Sequence, residues 1–124
     1  STLPVLMLTT TGMDPSKDIL ALASEVVGTE KYAELAMGGG QQQLAEKMLE
    51  TAMTNGTWLC LKNLHLVVAW LPNLEKALSA TKPHPDFRLW LTTEAHVRFP
   101  AILLQQSFKM TFESPPVCFF YLLL

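Results

Sequence analysis

Short apolar runs alternate along this chain with segments whose apolar residues recur at helical spacing, and this alternation limits the fold more than any other feature. The run LPVLMLTT, from residue 3, is apolar almost throughout and predicts a buried strand. Asp14 and Pro15 then predict a helix start, and Gly28 predicts its end. Between them, apolar residues fall at positions i, i+3, i+4 and i+7 of one helix face: Ile19, Leu22, Ala23 and Val26.

The alternation continues along the rest of the chain. The further predicted strands are KYAELAM, TWLCLKNL, DFRLWLTT and FKMTF, and the helical segments are 44–53, 71–78 and a short one starting at Pro100. Strands that alternate with helices predict an α/β fold with a five-stranded parallel sheet and helices on both faces. Polar residues within KYAELAM and FKMTF place these two strands at the edges of the sheet.

Composition narrows the range of partners. The 124 residues are about half apolar, which predicts one domain with a real core, and the net charge of −2 comes without a dense basic cluster. No nucleic acid partner is therefore expected. The two cysteines cannot form a disulfide framework, so a reducing, cytoplasmic compartment is expected. The longest apolar run, VCFFYLLL at 117–124, is far shorter than the ~20 residues of a membrane span.

Ligands of such folds bind outside the carboxyl ends of the central strands, so the loop after the first strand was compared with a phosphate-binding loop. That loop has the pattern G-x-x-x-x-G-K-[ST], in which the glycines, the lysine and the hydroxyl group hold phosphates and magnesium. If Lys17 is the lysine, Thr11 and Ser16 stand at the glycine positions and Asp18 stands at the hydroxyl position. The sequence therefore predicts a phosphate loop that has lost most of its requirements.

The end of the third strand also lacks the residues that an ATPase has at this position. An acidic pair would hold magnesium and activate water there, but this chain has Lys62 and Asn63. Asp18 places a negative charge in the loop that should hold phosphate, and Lys62 places a positive charge where the acidic pair would be. We therefore predict that Lys62 forms an ion pair with Asp18 or Asp14 and that this pair closes the empty pocket. The alternative is that Lys62 points into solvent and Asp14 only caps its helix.

The three histidines do not follow the pattern of a metal site. His65, His84 and His96 match no known ligand spacing, and no cysteine pair accompanies them. No metal site is predicted.

Four stretches together resemble the sixth AAA module of dynein heavy chains: LPVLMLTTTGMDPSKDI, AMGGGQQQLAEKML, GTWLCLKNLHLVVAWLPNLEKAL and DFRLWLTTEAHVRFPAILLQQSFKMTFESPP. The resemblance covers residues 3–116. It implies an AAA+ large subdomain over 1–116 with strand order 5-1-4-3-2, followed by a divergent apolar tail at 117–124. We expect this tail either to fold back onto the sheet or to cause self-association.

The resemblance also implies a degenerate module that has lost nucleotide binding, with ATP and magnesium held by other modules of the parent ATPase. Catalytic residues are not expected here, and matching positions are vestigial. These are Thr11, Gly12, Ser16, Lys17 and Asp18 for the phosphate loop, Lys62 and Asn63 for the acidic pair, and Thr92 and Thr93 for the sensor on the fourth strand.

Within the family, WLCLKNLHLV, AWLP and FRLWLTTE are most similar to the cytoplasmic heavy chain of retrograde intraflagellar transport. The implied role is a structural segment of a minus-end-directed microtubule motor in the cytoplasm, cytoskeleton and cilium. Its implied partners are neighbouring AAA modules, dynein subunits and microtubules. Two alternatives stay open: a weak nucleotide-binding module, because Gly12 and Lys17 remain, and an unrelated small α/β interaction domain.

Overall fold

The structure of the chain is a computed structural model that describes residues 4–9 and 14–94, and the backbone of 108–113 and 117–122. The strands are β1 (Val5–Thr9), β2 (Tyr32–Ala36), β3 (Trp58–Lys62), β4 (Arg88–Glu94), β5 (Phe108–Glu113) and β6 (Val117–Leu122). The α-helices are α1 (Ser16–Val26), α2 (Gln42–Asn55) and α3 (Leu71–Ala80), and 3-10 helices cover Thr29–Lys31 and Leu64–Trp70.

The strands form one sheet in the order β2-β3-β4-β1-β5-β6. All neighbouring pairs from β2 to β5 are parallel, whereas β6 is antiparallel to β5. The predicted α/β fold with parallel strands is confirmed, but the described sheet has an added antiparallel strand. The prediction that FKMTF, which forms β5, lies at an edge is therefore wrong, whereas β2 is an outer strand as predicted. Because only three residues connect β5 to β6, these strands can be neighbours only in antiparallel orientation.

Side chains alternate between two cores, one on each face of the sheet. On one face α1 packs through Ile19 and Ala23 onto strand residues Val5, Met7, Trp58, Cys60 and Trp90. On the other face α2 and α3 cover the leucines of the central strands, which are Leu6, Leu59, Leu61, Leu89 and Leu91. The strands read as continuous apolar runs because both faces are buried, and the predicted placement of helices on both faces is confirmed.

The helix boundaries follow the predicted signals closely. The helix α1 begins at Ser16, one residue later than predicted, because Pro15 precedes it as the N-cap residue. After the helix ends, the backbone N–H of Gly28 donates to the carbonyl of Ala23 at 2.9 Å. Gly56, which follows α2, has φ of 73°. This left-handed conformation suits glycine because it has no Cβ atom.

Several predictions fall on residues that the structure does not describe. The short helix from Pro100 lies outside the described residues, as do Thr11 and Gly12. Within the described ranges, no helix is long and apolar enough to cross a membrane.

Candidate functional site

The carboxyl ends of β1, β3 and β4 meet beside the amino terminus of α1. Thr9, the last residue of β1, lies opposite Glu94 at the end of β4, and β3 ends at Lys62. This is the edge at which parallel α/β sheets bind ligands. It brings Lys62 close to Ser16 at the start of α1, and Asn63 close to Thr92.

Lys62 is the centre of a charged cluster at this edge. Its ammonium Nζ lies 3.7 Å from Asp14 Oδ2 and 3.7 Å from Glu34 Oε1, and it donates to the Ser16 hydroxyl at 3.5 Å. The side chain points toward α1 because Trp58 and Cys60, at alternate positions of the same strand, lie on that face. The predicted ion pair with the first loop is therefore confirmed for Asp14.

Two details of this cluster differ from the prediction. No ion pair joins Lys62 to Asp18 in the part of the chain that the structure describes. Glu34 was not predicted as a partner, and its carboxylate also accepts a hydrogen bond from the Tyr32 hydroxyl at 3.0 Å. The charge of Lys62 is thus shared between two carboxylates.

The Asp14 carboxylate lies at the amino terminus of α1. Its Oδ1 accepts the backbone N–H of Ser16 at 3.0 Å. Partial burial acts to raise the pKa of Asp14, but hydrogen bonds from Ser16 and the positive charges of Lys62 and Lys17 outweigh it, so the pKa is lowered. Helix amino termini bind phosphate through such N–H groups, and here a protein carboxylate takes that position.

The other described phosphate-loop positions are not gathered around this cluster. Lys17 and Asp18 are exposed in the first turn of α1, whereas Ser16 is buried. The backbone N–H of Asp18 donates to the carbonyl of Pro15 at 3.0 Å, so it serves the helix. Of the predicted loop residues, only Ser16 contacts Lys62 in the described part of the chain.

Asn63 has a backbone conformation that the sequence did not reveal. Its φ of 63° and ψ of 48° are left-handed, and asparagine is one of the few residues that adopt this region readily. The chain turns there from β3 into the 3-10 helix Leu64–Trp70, while the Asn63 side chain stays exposed. The backbone at this position therefore differs from a continuing strand.

The two predicted sensor threonines are buried and make internal hydrogen bonds. The Thr92 hydroxyl accepts the backbone N–H of Asn63 at 3.2 Å. The Thr93 hydroxyl donates to the carbonyl of Glu94 at 3.1 Å, and the Thr93 carbonyl accepts the Thr9 hydroxyl at 3.4 Å. These bonds join the ends of β1, β3 and β4.

A histidine–glutamate pair at the same edge was not predicted. His65 Nε2 lies 2.9 Å from Glu94 Oε2, and His65 Nδ1 accepts the backbone N–H of Glu94 at 3.1 Å. A neutral ring with its hydrogen on Nε2 satisfies both contacts. The sequence could have indicated this pair, because both residues lie close to the carboxyl ends of neighbouring strands.

The charged groups of the cluster are paired with one another. An ammonium group lies between two carboxylates, and no group of three or more histidine, cysteine, aspartate or glutamate side chains within the described ranges could hold a metal ion.

A separate cavity of about 750 Å³ lies between α2, α3 and the segment 81–85, and it shares none of these charged residues.

The fold and this edge define an α/β domain whose strand ends, where such sheets bind ligands, carry an internal ion pair. A family model described as "Dynein heavy chain region D6 P-loop domain" matches residues 1–111. The chain belongs to the dynein heavy chain family. The resemblance predicted from the sequence is confirmed, and the alternative of an unrelated interaction domain is wrong.

Several relatives of this chain carry dynein 2 names. The chain is 53% identical over 113 residues to "Cytoplasmic dynein 2 heavy chain 1" of Tripneustes gratilla, covering 91% of this chain and 3% of that protein. Identity to the protein of the same name from Homo sapiens is also 53%, with the same coverage. "Dynein axonemal heavy chain 10" of Homo sapiens is 47% identical over 90% of this chain and 2% of its own length. The chain thus spans a small part of its curated relatives.

Proposed function

We propose that this chain is a structural, nucleotide-free module of a dynein heavy chain. Residues 1–116 form an AAA+ large subdomain with the core strand order 5-1-4-3-2, and residues 117–124 are an addition to it. The module relays conformational change between neighbouring AAA modules of the same heavy chain. The pairing of β5 with β1, and of β4 with β1 and β3, supports this order.

The Lys62 cluster is the observation that carries the proposal. A nucleotide brings anionic phosphates to the helix amino terminus and a metal ion to the carboxylates beside it. In this chain Asp14 supplies the anion and Lys62 the cation, at 3.7 Å from each other. A phosphate entering this edge would meet the charge of Asp14, and a metal ion would meet the charge of Lys62.

The sequence positions that match an active module are then vestigial. We assign Thr11, Gly12, Ser16, Lys17 and Asp18 to a former phosphate loop, Lys62 and Asn63 to a former acidic pair, and Thr92 and Thr93 to a former sensor. In this proposal ATP and magnesium bind other modules of the parent chain, and this segment has no catalytic residue.

For the parent protein we propose an ATPase that moves along microtubules toward their minus ends, in retrograde intraflagellar transport. The names of the dynein 2 and axonemal relatives support a place in the cytoskeleton and the cilium. Its partners are then the other AAA modules, the dynein subunits and the microtubule.

Calorimetric titration with Mg-ATP tests the nucleotide-free role. We expect no saturable binding by the chain, and none by Lys62→Met either, because Asp14 still accepts the Ser16 N–H and Pro15 has no N–H to offer a phosphate. Circular dichroism of each variant checks that the fold is retained.

The rival function is weak nucleotide binding, which the exposed Lys17 in the first turn of α1 favours. Lys17→Ala is its matched control, because it removes the remaining phosphate-loop cation from a solvent-exposed position. Saturable binding of Mg-ATP that this substitution abolishes would establish the rival and contradict the structural role.

A further inference from the structure

The cavity between α2, α3 and the segment 81–85 has the size of a binding site. Its volume is about 750 Å³, which lies within the range of small-molecule sites in proteins. The described residues of its lining lie within 46–54 and 77–85. The cavity therefore has walls from two helices and from the segment that follows α3.

The floor of the cavity is apolar because of the spacing of residues along α2. Positions 46, 49, 50 and 53 fall at i, i+3, i+4 and i+7, so one face of this helix borders the cavity. Leu49 and Met53 lie on the buried side of this face, with 1% and 7% of their surfaces exposed. Ala77 of α3 adds a partly buried apolar surface. An apolar group that entered the cavity would therefore leave water for an apolar floor.

The segment 81–85 is attached to α2 by a backbone hydrogen bond. The N–H of His84 donates to the carbonyl of Met53 at 2.8 Å. Pro83 and Pro85, on either side of His84, also line the cavity, and their rings fix the φ angle of each residue. This wall is therefore preformed, which lowers the entropic cost of binding a ligand.

Two carboxylates of α2 lie at the rim of the cavity. Glu46 and Glu50 are one helical turn apart on the solvent side of the same helix face, and both are exposed. Glu46 Oε1 accepts the indole N–H of Trp70 at 3.0 Å, which holds this carboxylate in place while its other oxygen can accept a further donor. In the described ranges, no basic side chain lies within ion-pair distance of either carboxylate.

The opposite wall carries less charge. Lys82 is exposed there, and His84 Nδ1 accepts the backbone N–H of Asp86 at 3.0 Å, as a neutral ring does. The described lining thus has two negative charges, which are adjacent, and one positive charge. Adjacent carboxylates without a basic partner favour a cation at the α2 wall.

We propose that this cavity binds a small molecule in which an apolar group is joined to a protonated amine. The apolar group contacts Leu49, Met53 and Ala77, and the ammonium group lies beside the carboxylates of Glu46 and Glu50. Charge complementarity decides the class of ligand, because an anionic molecule of the same shape would meet two carboxylates. The site shares no residue with the Lys62 cluster, so the inference is independent of the proposed nucleotide-free role.

Three compounds that share an apolar group and differ in charge test the proposal: phenylbutylamine, phenylbutanol and phenylbutyrate. Titration of the 124-residue chain, followed by the NMR shifts of its backbone amides, measures both affinity and location. At neutral pH we expect saturable shifts within 46–54 and 77–85. The amine should bind roughly three- to tenfold more tightly than the alcohol, and phenylbutyrate should bind most weakly. High salt should reduce the difference.

The double substitution Glu46→Gln/Glu50→Gln separates charge from shape, because glutamine keeps an oxygen that can accept the Trp70 N–H. We expect the affinity for the amine to fall to that for the alcohol, while the affinity for the alcohol stays the same. Glu25→Gln is the matched control. It removes one exposed carboxylate from α1, outside the described lining of the cavity, and should leave the preference for the amine unchanged.

Ala77→Leu is a further variant, because it places a larger apolar side chain at the wall of the cavity. It should weaken the binding of the amine and of the alcohol together, and circular dichroism checks that the fold is retained. The proposal is overturned by the absence of saturable shifts with the amine, by equal affinities for the three compounds, or by tighter binding of phenylbutyrate. A preference for the amine that persists in Glu46→Gln/Glu50→Gln overturns it as well.

Discussion

Replacing Asp14 tests whether the charged cluster stabilises the fold as its geometry indicates. Asp14→Ala removes both the acceptor for the Ser16 N–H and the ion pair with Lys62. Loss of a capping acceptor costs ~0.5–2 kcal/mol, and loss of an ion pair of this exposure costs ~0.2–1 kcal/mol. We therefore expect the free energy of unfolding to fall by roughly 0.7–3 kcal/mol.

Asp14→Asn is the matched control, because its amide oxygen keeps the acceptor while the charge is lost. We expect this variant to lose only the ~0.2–1 kcal/mol of the ion pair, since Asp14 is more than half exposed to solvent. Urea unfolding followed by tryptophan fluorescence measures both variants, as Trp58, Trp70 and Trp90 are buried in the native state.

The pH dependence gives an independent measure of the same pair. Because the folded pKa of Asp14 is lowered from its ordinary value of 3.8, its ionised form contributes stability above that value. This contribution is lost as the pH falls through the folded pKa. The difference in unfolding free energy between the unaltered chain and Asp14→Asn should thus shrink below a pH of about 4.

A double-mutant cycle with Lys62→Met isolates the pairwise energy from the contact of Lys62 with Glu34. The coupling between Asp14→Asn and Lys62→Met should be ~0.2–1 kcal/mol and should decrease with salt. Additive effects of the two substitutions at low salt, or equal losses from Asp14→Ala and Asp14→Asn, would refute the reasoning.

Three further predictions concern single positions. Asn63→Val should destabilise the chain by ~1–2 kcal/mol because a β-branched residue is strained at φ of 63°, while Asn63→Gly should not, as urea unfolding will show. Gly56→Ala should cost more than ~1 kcal/mol, because its φ is positive and an added Cβ would clash with the His84 ring; a thermal midpoint equal to that of the unaltered chain would contradict this. Burial raises the pKa of the Cys60 thiol to about 12, so in a Cys118→Ser background a thiol reagent at neutral pH should react only after urea is added, and rapid reaction of the folded chain would argue against it.

The parts of the fold that the sequence predicted depend on local periodicity. Leu59 and Leu61 alternate with Trp58 and Cys60 along β3, and all four are buried because each face is covered. Such a strand is recognisable from its apolar run alone. The pair between Lys62 and Asp14 was also predictable, since both positions follow central strands whose carboxyl ends share one edge.

The unpredicted parts depend on contacts between distant residues. The Glu34–Lys62 pair requires the register in which Ala36 lies opposite Lys62, and no local pattern specifies that register. The left-handed Asn63 depends on the hydrogen bond from its N–H to Thr92, which lies on another strand. The apolar residues of β6 have no regular spacing, so the sequence could not show whether this segment folds back onto the sheet or causes self-association.

The turned backbone at Asn63 also bears on evolutionary reversibility. A glutamate placed there would have to adopt a left-handed conformation, and an aspartate in place of Lys62 would face the carboxylates of Asp14 and Glu34 without a cation. Each single substitution toward an acidic pair would therefore destabilise the fold before nucleotide binding could give any advantage. A chain with this arrangement would have to change several residues together to acquire such a site, so selection for folding alone acts against it.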